Sequence, residues 1–254
     1  MFVKKLLKVY RVKNWYYQLG LILIGFLLVS DLNFDIIKII LLGFMLMAFA
    51  YSFNDYCEKK EKQKYFTIPL VISLFMLILF NYLQILFSIT ALIIATLYSL
   101  KPIALREKPF LVTITNAISV PILFLLGYLY IPTFGSIGLI IMLLLFCFVM
   151  IGQILHEATH IKHDKKCKVV STAALLGKQN TKYFCYIFLI LPLLLTVMFF
   201  YLSIVNIIFL LSTIIFVILM LFKIKRENLS YSLRKMYVTS CIILGLVYIL
   251  SFYI

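Results

Sequence analysis

The chain has 254 residues, of which 65% are hydrophobic and only 13% charged, and its mean hydropathy is +1.12. A soluble domain carries about a quarter of charged residues and is about half apolar, so this composition excludes a soluble globular protein and describes an integral membrane protein. The formal charge of +15 would suit a nucleic-acid partner, but in a membrane chain it reports loop orientation, and no nucleic acid is expected.

The basic opening, residues 1–14, has no small-residue cleavage site after the first apolar run and reads as a retained interfacial segment. Apolar runs follow at about 15–30, 36–53, 66–82, 84–100, 110–131, 137–155, 183–202, 204–222 and 236–253. Each is long enough for a transmembrane helix or close to it. The segments 1–14, 54–65, 101–109, 156–182 and 223–235 hold every Lys and Arg except Lys38. The alternating segments are short and carry acids or no charge, so the positive-inside rule predicts nine spans with a cytoplasmic N-terminus. The expected fold is all-α, a polytopic bundle forming one domain over residues 1–254 of a multi-pass cell-membrane protein. The five cysteines show no C-x-x-C pairing and read as reduced thiols.

Two polar islands interrupt the apolar chain on the cytoplasmic side of this topology. The first, Asn54 to Tyr65 (NDYCEKKEKQKY), holds Asp55, Glu58 and Glu61, three of nine acids. The second, Gln153 to Gly177, holds all three histidines together with Glu157 and Asp164. Ionisable residues this scarce and this clustered mark where function is sought. If the second helix continues past Phe53, Asn54, Glu58 and Lys62 share one face. If the sixth continues past Leu155, His156, His160 and Asp164 share one face, with Glu157 beside His160 and Asp164. Helix ends bearing such ligands at one membrane surface suit Mg²⁺, which binds through one or two carboxylates and substrate phosphate oxygens. Ordinary solvated loops are the plainer alternative.

These residues also carry a resemblance. NDYCEKKEK resembles the N-D-x-x-D-x-x-x-D motif of the UbiA superfamily of membrane prenyltransferases, with Glu58 for the middle Asp and Lys62 for the last. HIKHD resembles its D-x-x-x-D motif, with His160 for the first Asp and Asp164 for the second. DKKCKVVSTAALLG resembles the segment that follows, with Ser171 and Gly177 in register and Lys168 where Gly is usual. YSLKPIALREKP, Tyr98 to Pro109, resembles the family's basic loop, and RVKNW, Arg11 to Trp15, its entry to the first helix.

The resemblance implies helices around a central cavity and transfer of a prenyl group from a prenyl diphosphate to an aromatic or lipid acceptor, with Mg²⁺ as cofactor. It implies Asn54, Glu58 and Asp164 as catalytic. The metal candidates are Asp55, Glu58, Glu61, Glu157, His160 and Asp164. Arg11, Lys62, Tyr98, Lys101, Arg106 and Lys165 would bind diphosphate. The substitutions at 62 and 160 also admit a catalytically degenerate homologue. His156 to His160 spells HEATH, the H-E-x-x-H pattern of zinc metalloproteases, which supports a membrane protease as a rival. A transporter is a third reading; it would want charged or polar breaks near mid-membrane, and the spans have few beyond Asn81, Asn116 and Gln153.

Overall fold

The computed structural model describes residues 2–58, 64–133, 135–166, 170–203, 205–226 and 229–250, with backbone alone at 2–5 and 162–166. Every regular element among them is helical. The α-helices are α1 (Phe2–Val9), α2 (Gly20–Leu27), α3 (Asp35–Cys57), α4 (Thr67–Met76), α5 (Tyr82–Ser99), α6 (Leu111–Tyr128), α7 (Ser136–Lys166), α8 (Thr172–Tyr201), α9 (Ile207–Arg226) and α10 (Tyr231–Leu250). Among the described residues seven helices, α3 and α5 to α10, are long and apolar enough to cross a membrane. Two shorter apolar segments, Tyr16–Leu27 and Thr67–Leu79, take up the remaining runs read from the sequence.

The distribution of side chains shows why this is a membrane fold. On α9 one face buries Phe209, Thr213, Phe216, Val217, Met220 and Ile224, spaced by three or four residues. The opposite face exposes Ile215, Ile218, Leu219 and Phe222. Water does not tolerate a patch of that kind on an isolated chain, whereas lipid tails solvate it.

The helices form two compact units, Met1–Arg106 with Ser119–Gly138, and Glu107–Ile118 with Leu139–Ile254. In the first unit α3 packs against α4 and α5. Two glycines let α2 lie directly on α6. A Cβ at Gly25 would strike the Phe124 carbonyl, and one at Gly127 would strike the Ile22 carbonyl. Without a hydrophobic driving force in lipid, such backbone approach is how helices gain packing energy. Asn81 begins α5: its Oδ1 accepts from the Leu83 and Gln84 amides, both at 3.1 Å, and its Nδ2 donates to the Leu129 carbonyl at 2.7 Å. Gln84 donates to the Leu126 carbonyl at 2.8 Å. Asn81 is thus a helix cap rather than a polar break within a span. Lys38, the exception to the charge alternation, bonds Asp35 at 2.6 Å.

The second unit gathers α8, α9 and α10 around Ile151, Leu189, Phe216, Val217 and Tyr237. Tyr237 satisfies its hydroxyl by donating to the Phe148 carbonyl at 2.6 Å. One boundary departs from the sequence reading. Residues 156–182 read as a loop because charge ends the apolar run there, yet α7 continues to Lys166 and α8 starts at Thr172. A helix satisfies its own backbone, so it outlasts the apolar stretch that a hydropathy reading detects. Gly177 then interrupts α8 at φ 72°, ψ 171°, a conformation open essentially to glycine alone.

Candidate active site

In the first unit the polar cluster is built at the end of α3. Its last turns carry Asn54 and Asp55, and Glu58 follows as the C-cap. Asn54 Nδ2 donates to Glu58 Oε1 at 3.2 Å, the contact expected of residues four apart. Ser99, the last residue of α5, donates to Asn54 Oδ1 at 3.1 Å. Arg106, in the short 3₁₀ turn after α5, donates through Nη1 to the same Asn54 oxygen at 2.8 Å and also to Glu58 Oε1. One guanidinium therefore fixes Asn54 and Glu58 together with charge-assisted bonds.

Asp55, 8% exposed, points to Arg11, whose Nη2 bonds its Oδ1 at 2.6 Å. The entry segment explains how Arg11 arrives there. Trp15 is fully buried, its indole N–H donates to the Tyr10 carbonyl at 2.7 Å, and its ring meets Phe44 and Tyr51 of α3. That anchor holds the Tyr10–Trp15 turn against α3 while Arg11 itself sits at φ 49°. A left-handed backbone costs about 1–2 kcal/mol in a non-glycine residue, so the bond to Asp55 and the Trp15 anchor act against local preference. Tyr98 is half-buried in the last turn of α5 and Lys101 is exposed just beyond it. Glu61 and Lys62 lie outside the described residues.

In the second unit Glu157 is the centre of a separate network. It is 6% exposed. Its Oε1 accepts from Thr113 at 2.6 Å and its Oε2 from the Ala173 amide at 3.2 Å. Thr113 and Thr172 share a hydroxyl contact of 2.7 Å, and the Phe110 amide donates to Thr172 at 2.8 Å. Glu157 thus caps the start of α8 and ties it to α7 and to the first turn of α6. Gln153 also bonds Glu157. His156 and His160 lie edge to face with ring centroids 4.5 Å apart; His156 is half-buried and His160 exposed. Asp164 and Lys165 continue α7, so Asp164 follows His160 by one turn, and their side chains lie outside the described residues.

Sequence reasoning missed Ser99, Thr113 and Thr172. Each is a small hydroxyl at the end of an apolar run, a signal too common to single out. Ser171, in register with the family's segment, has a buried hydroxyl with no partner among the described residues, while the bonding hydroxyl is its neighbour Thr172.

The donor sets bear on which metal would fit. Asp55, Glu58 and the Asn54 carbonyl supply hard oxygens, the chemistry Mg²⁺ takes. No group of three His, Cys, Asp or Glu converges among the described residues, so a closed protein cage is not what they form. One or two carboxylates completed by phosphate oxygens is the mode that fits.

The sequence pattern of the UbiA prenyltransferase family matches residues 59–241. The chain belongs to that family. None of the curated protein sequences matches it. Among solved structures it is similar to a digeranylgeranylglyceryl phosphate synthase, at 20% identity and a TM-score of 0.79, with 98% of each chain covered. It is also similar to a UbiA homologue from Archaeoglobus fulgidus bound to GPP and Mg²⁺, at 17% identity and a TM-score of 0.77, over 98% of this chain and 100% of that one. The same homologue bound to Cd²⁺ gives 19% identity and a TM-score of 0.78. The fold is therefore UbiA-like, and with its apolar helices the protein is an integral membrane protein.

Proposed function

We propose that residues 1–254 act as one prenyltransferase domain, moving a prenyl group from a prenyl diphosphate to an aromatic or lipid acceptor in the membrane, with diphosphate leaving on the cytoplasmic side. The observation that carries this reading is the cluster at the end of α3, where Arg106 holds Asn54 and Glu58 and Arg11 holds Asp55. Breaking an allylic C–O bond builds negative charge on the diphosphate, and fixed cations there stabilise it most in the transition state. Arg11 and Arg106 would bind and orient that leaving group, with Tyr98, Lys101, Lys62 and Lys165 as further contacts. Asp55, Glu58 and Asp164 would hold Mg²⁺, which supplies Lewis-acid stabilisation of the diphosphate oxygens; the solved relative bound to GPP and Mg²⁺ supports that pairing. Glu61 and His160 are secondary candidates for the metal. Glu157 is a positioning residue for α8 in this reading.

The zinc-protease reading requires the central Glu of HEATH to face a metal-bound water. Glu157 instead turns its two oxygens to Thr113 and the Ala173 amide, and no third ligand joins His156 and His160 among the described residues. A degenerate homologue would bind prenyl diphosphate without turnover.

The test is purified protein in lipid vesicles, given labelled prenyl diphosphates and a panel of acceptors with and without Mg²⁺. Wild type should release diphosphate, and Glu58→Ala and Asp164→Ala should each abolish release while the protein stays in the membrane. His160→Asp should keep activity with a steeper Mg²⁺ dependence, since oxygen suits Mg²⁺ better than imidazole. One zinc per chain that disappears in His160→Asp would overturn the reading in favour of the protease. Binding without turnover for every acceptor would favour the degenerate homologue.

A further inference from the structure

A cavity lies in the second unit, where the start of α8 meets the end of α9. It has a volume of about 410 Å³ and is lined by Lys178, Gln179, Lys182, Tyr183, Tyr186 and Lys225. Among the described residues the lining holds three cations and no acid, so their mutual repulsion favours an anion between them. Lys182 Nζ donates to the Lys225 carbonyl at 3.3 Å, joining the two helix ends, and the Gly177 break sets the direction in which α8 leaves the pocket. Below it, α8 exposes Ile187, Ile190 and Leu194, and α9 exposes Leu219 and Phe222. The hollow therefore sits at the polar end of a continuous apolar face, and tyrosines are the residues that favour that boundary.

We propose that this pocket binds the phosphate headgroup of an anionic phospholipid, with the acyl chains lying along the exposed faces of α8 and α9. A bare phosphate would be served by the lysines alone. The apolar face running directly from the pocket selects the lipid source of the same chemistry. The site is distinct from the residues assigned to diphosphate and metal, so its test does not depend on prenyl transfer.

The full chain in detergent is titrated with phosphatidylglycerol and with phosphatidylcholine, and bound lipid is counted by native mass spectrometry. Wild type should retain phosphatidylglycerol and bind phosphatidylcholine at least about tenfold more weakly. Replacing Lys178→Gln, Lys182→Gln and Lys225→Gln together should abolish that preference, while Arg at the same three positions keeps it. Equal retention of the two lipids by wild type would overturn the proposal without need of any variant, as would full preference in a folded Gln variant. Displacement of phosphatidylglycerol by millimolar inorganic phosphate would overturn the lipid assignment and leave a soluble phosphate as the occupant.

Discussion

Arg106 serves two acceptors at once, Asn54 Oδ1 and Glu58 Oε1, and it is mostly buried beside them. Both bonds leave one nitrogen, Nη1, and a lysine would offer its three donors from a different reach and without the delocalised guanidinium plane. Arg106→Ala should lower kcat/KM for prenyl transfer by tenfold or more, about 1.4 kcal/mol of transition-state stabilisation, and Arg106→Lys should recover only part of it, read by diphosphate release. Glu157 poses the opposite case. Glu157→Ala strands the Ala173 amide and leaves Thr113 only its contact with Thr172, and a buried polar group left unsatisfied costs about 1–3 kcal/mol. The melting temperature in detergent should therefore fall in Glu157→Ala and fall less in Glu157→Gln, which still accepts hydrogen bonds. A Glu157→Gln protein of unchanged melting temperature that has lost Mg²⁺-dependent turnover would make Glu157 a metal ligand instead.

At the scale of the helices, Gly25 and Gly127 are where α2 and α6 approach backbone to backbone, with the Phe124 and Ile22 carbonyls in the space a Cβ would take. Gly127→Val has to push α2 away and should cost several kcal/mol, visible as a loss of folded protein on extraction or a clear drop in melting temperature. Gly20→Ala is the control, because a Cβ there meets nothing within 4 Å. Neither glycine is distinguishable from the other in the sequence. What the sequence does carry at this scale is periodicity and charge. The apolar runs predicted most helices to within a few residues, because hydropathy is what lipid selects. They failed at 156–182, where the helices outlast the apolar stretch. The carboxylates of the first motif were legible for a related reason, acids being rare here. The hydroxyls of Ser99, which bonds Asn54, and of Thr113 and Thr172, which gather at Glu157, were not, because which hydroxyl meets which polar group depends on packing that one-dimensional spacing does not encode.

For the whole molecule the open quantity is topology. The charge alternation predicts nine crossings with the N-terminus in the cytoplasm, and among the described residues seven helices are long and apolar enough to cross, with two shorter apolar segments besides. In a background with the native cysteines replaced, single cysteines at Lys60 and Lys166 should react only with reagent added from the cytoplasmic side, and one at Asp31 only from the opposite side. Labelling of Lys60→Cys from outside would overturn the orientation.

The two arginine–carboxylate pairs at the end of α3 have a thermodynamic consequence. Arg11 with Asp55, and Arg106 with Glu58, place two positive and two negative formal charges side by side, so these four groups cancel. A cation arriving alone meets carboxylates already held by arginine, and an anion arriving alone meets arginines already held by carboxylate. Each ion frees the partner that the other one needs, so their binding free energies are linked and the coupling is the same whichever is added first. Calorimetric titration should therefore find Mg²⁺ and diphosphate each binding weakly alone and several-fold more tightly in the presence of the other, with equal factors in the two orders of addition.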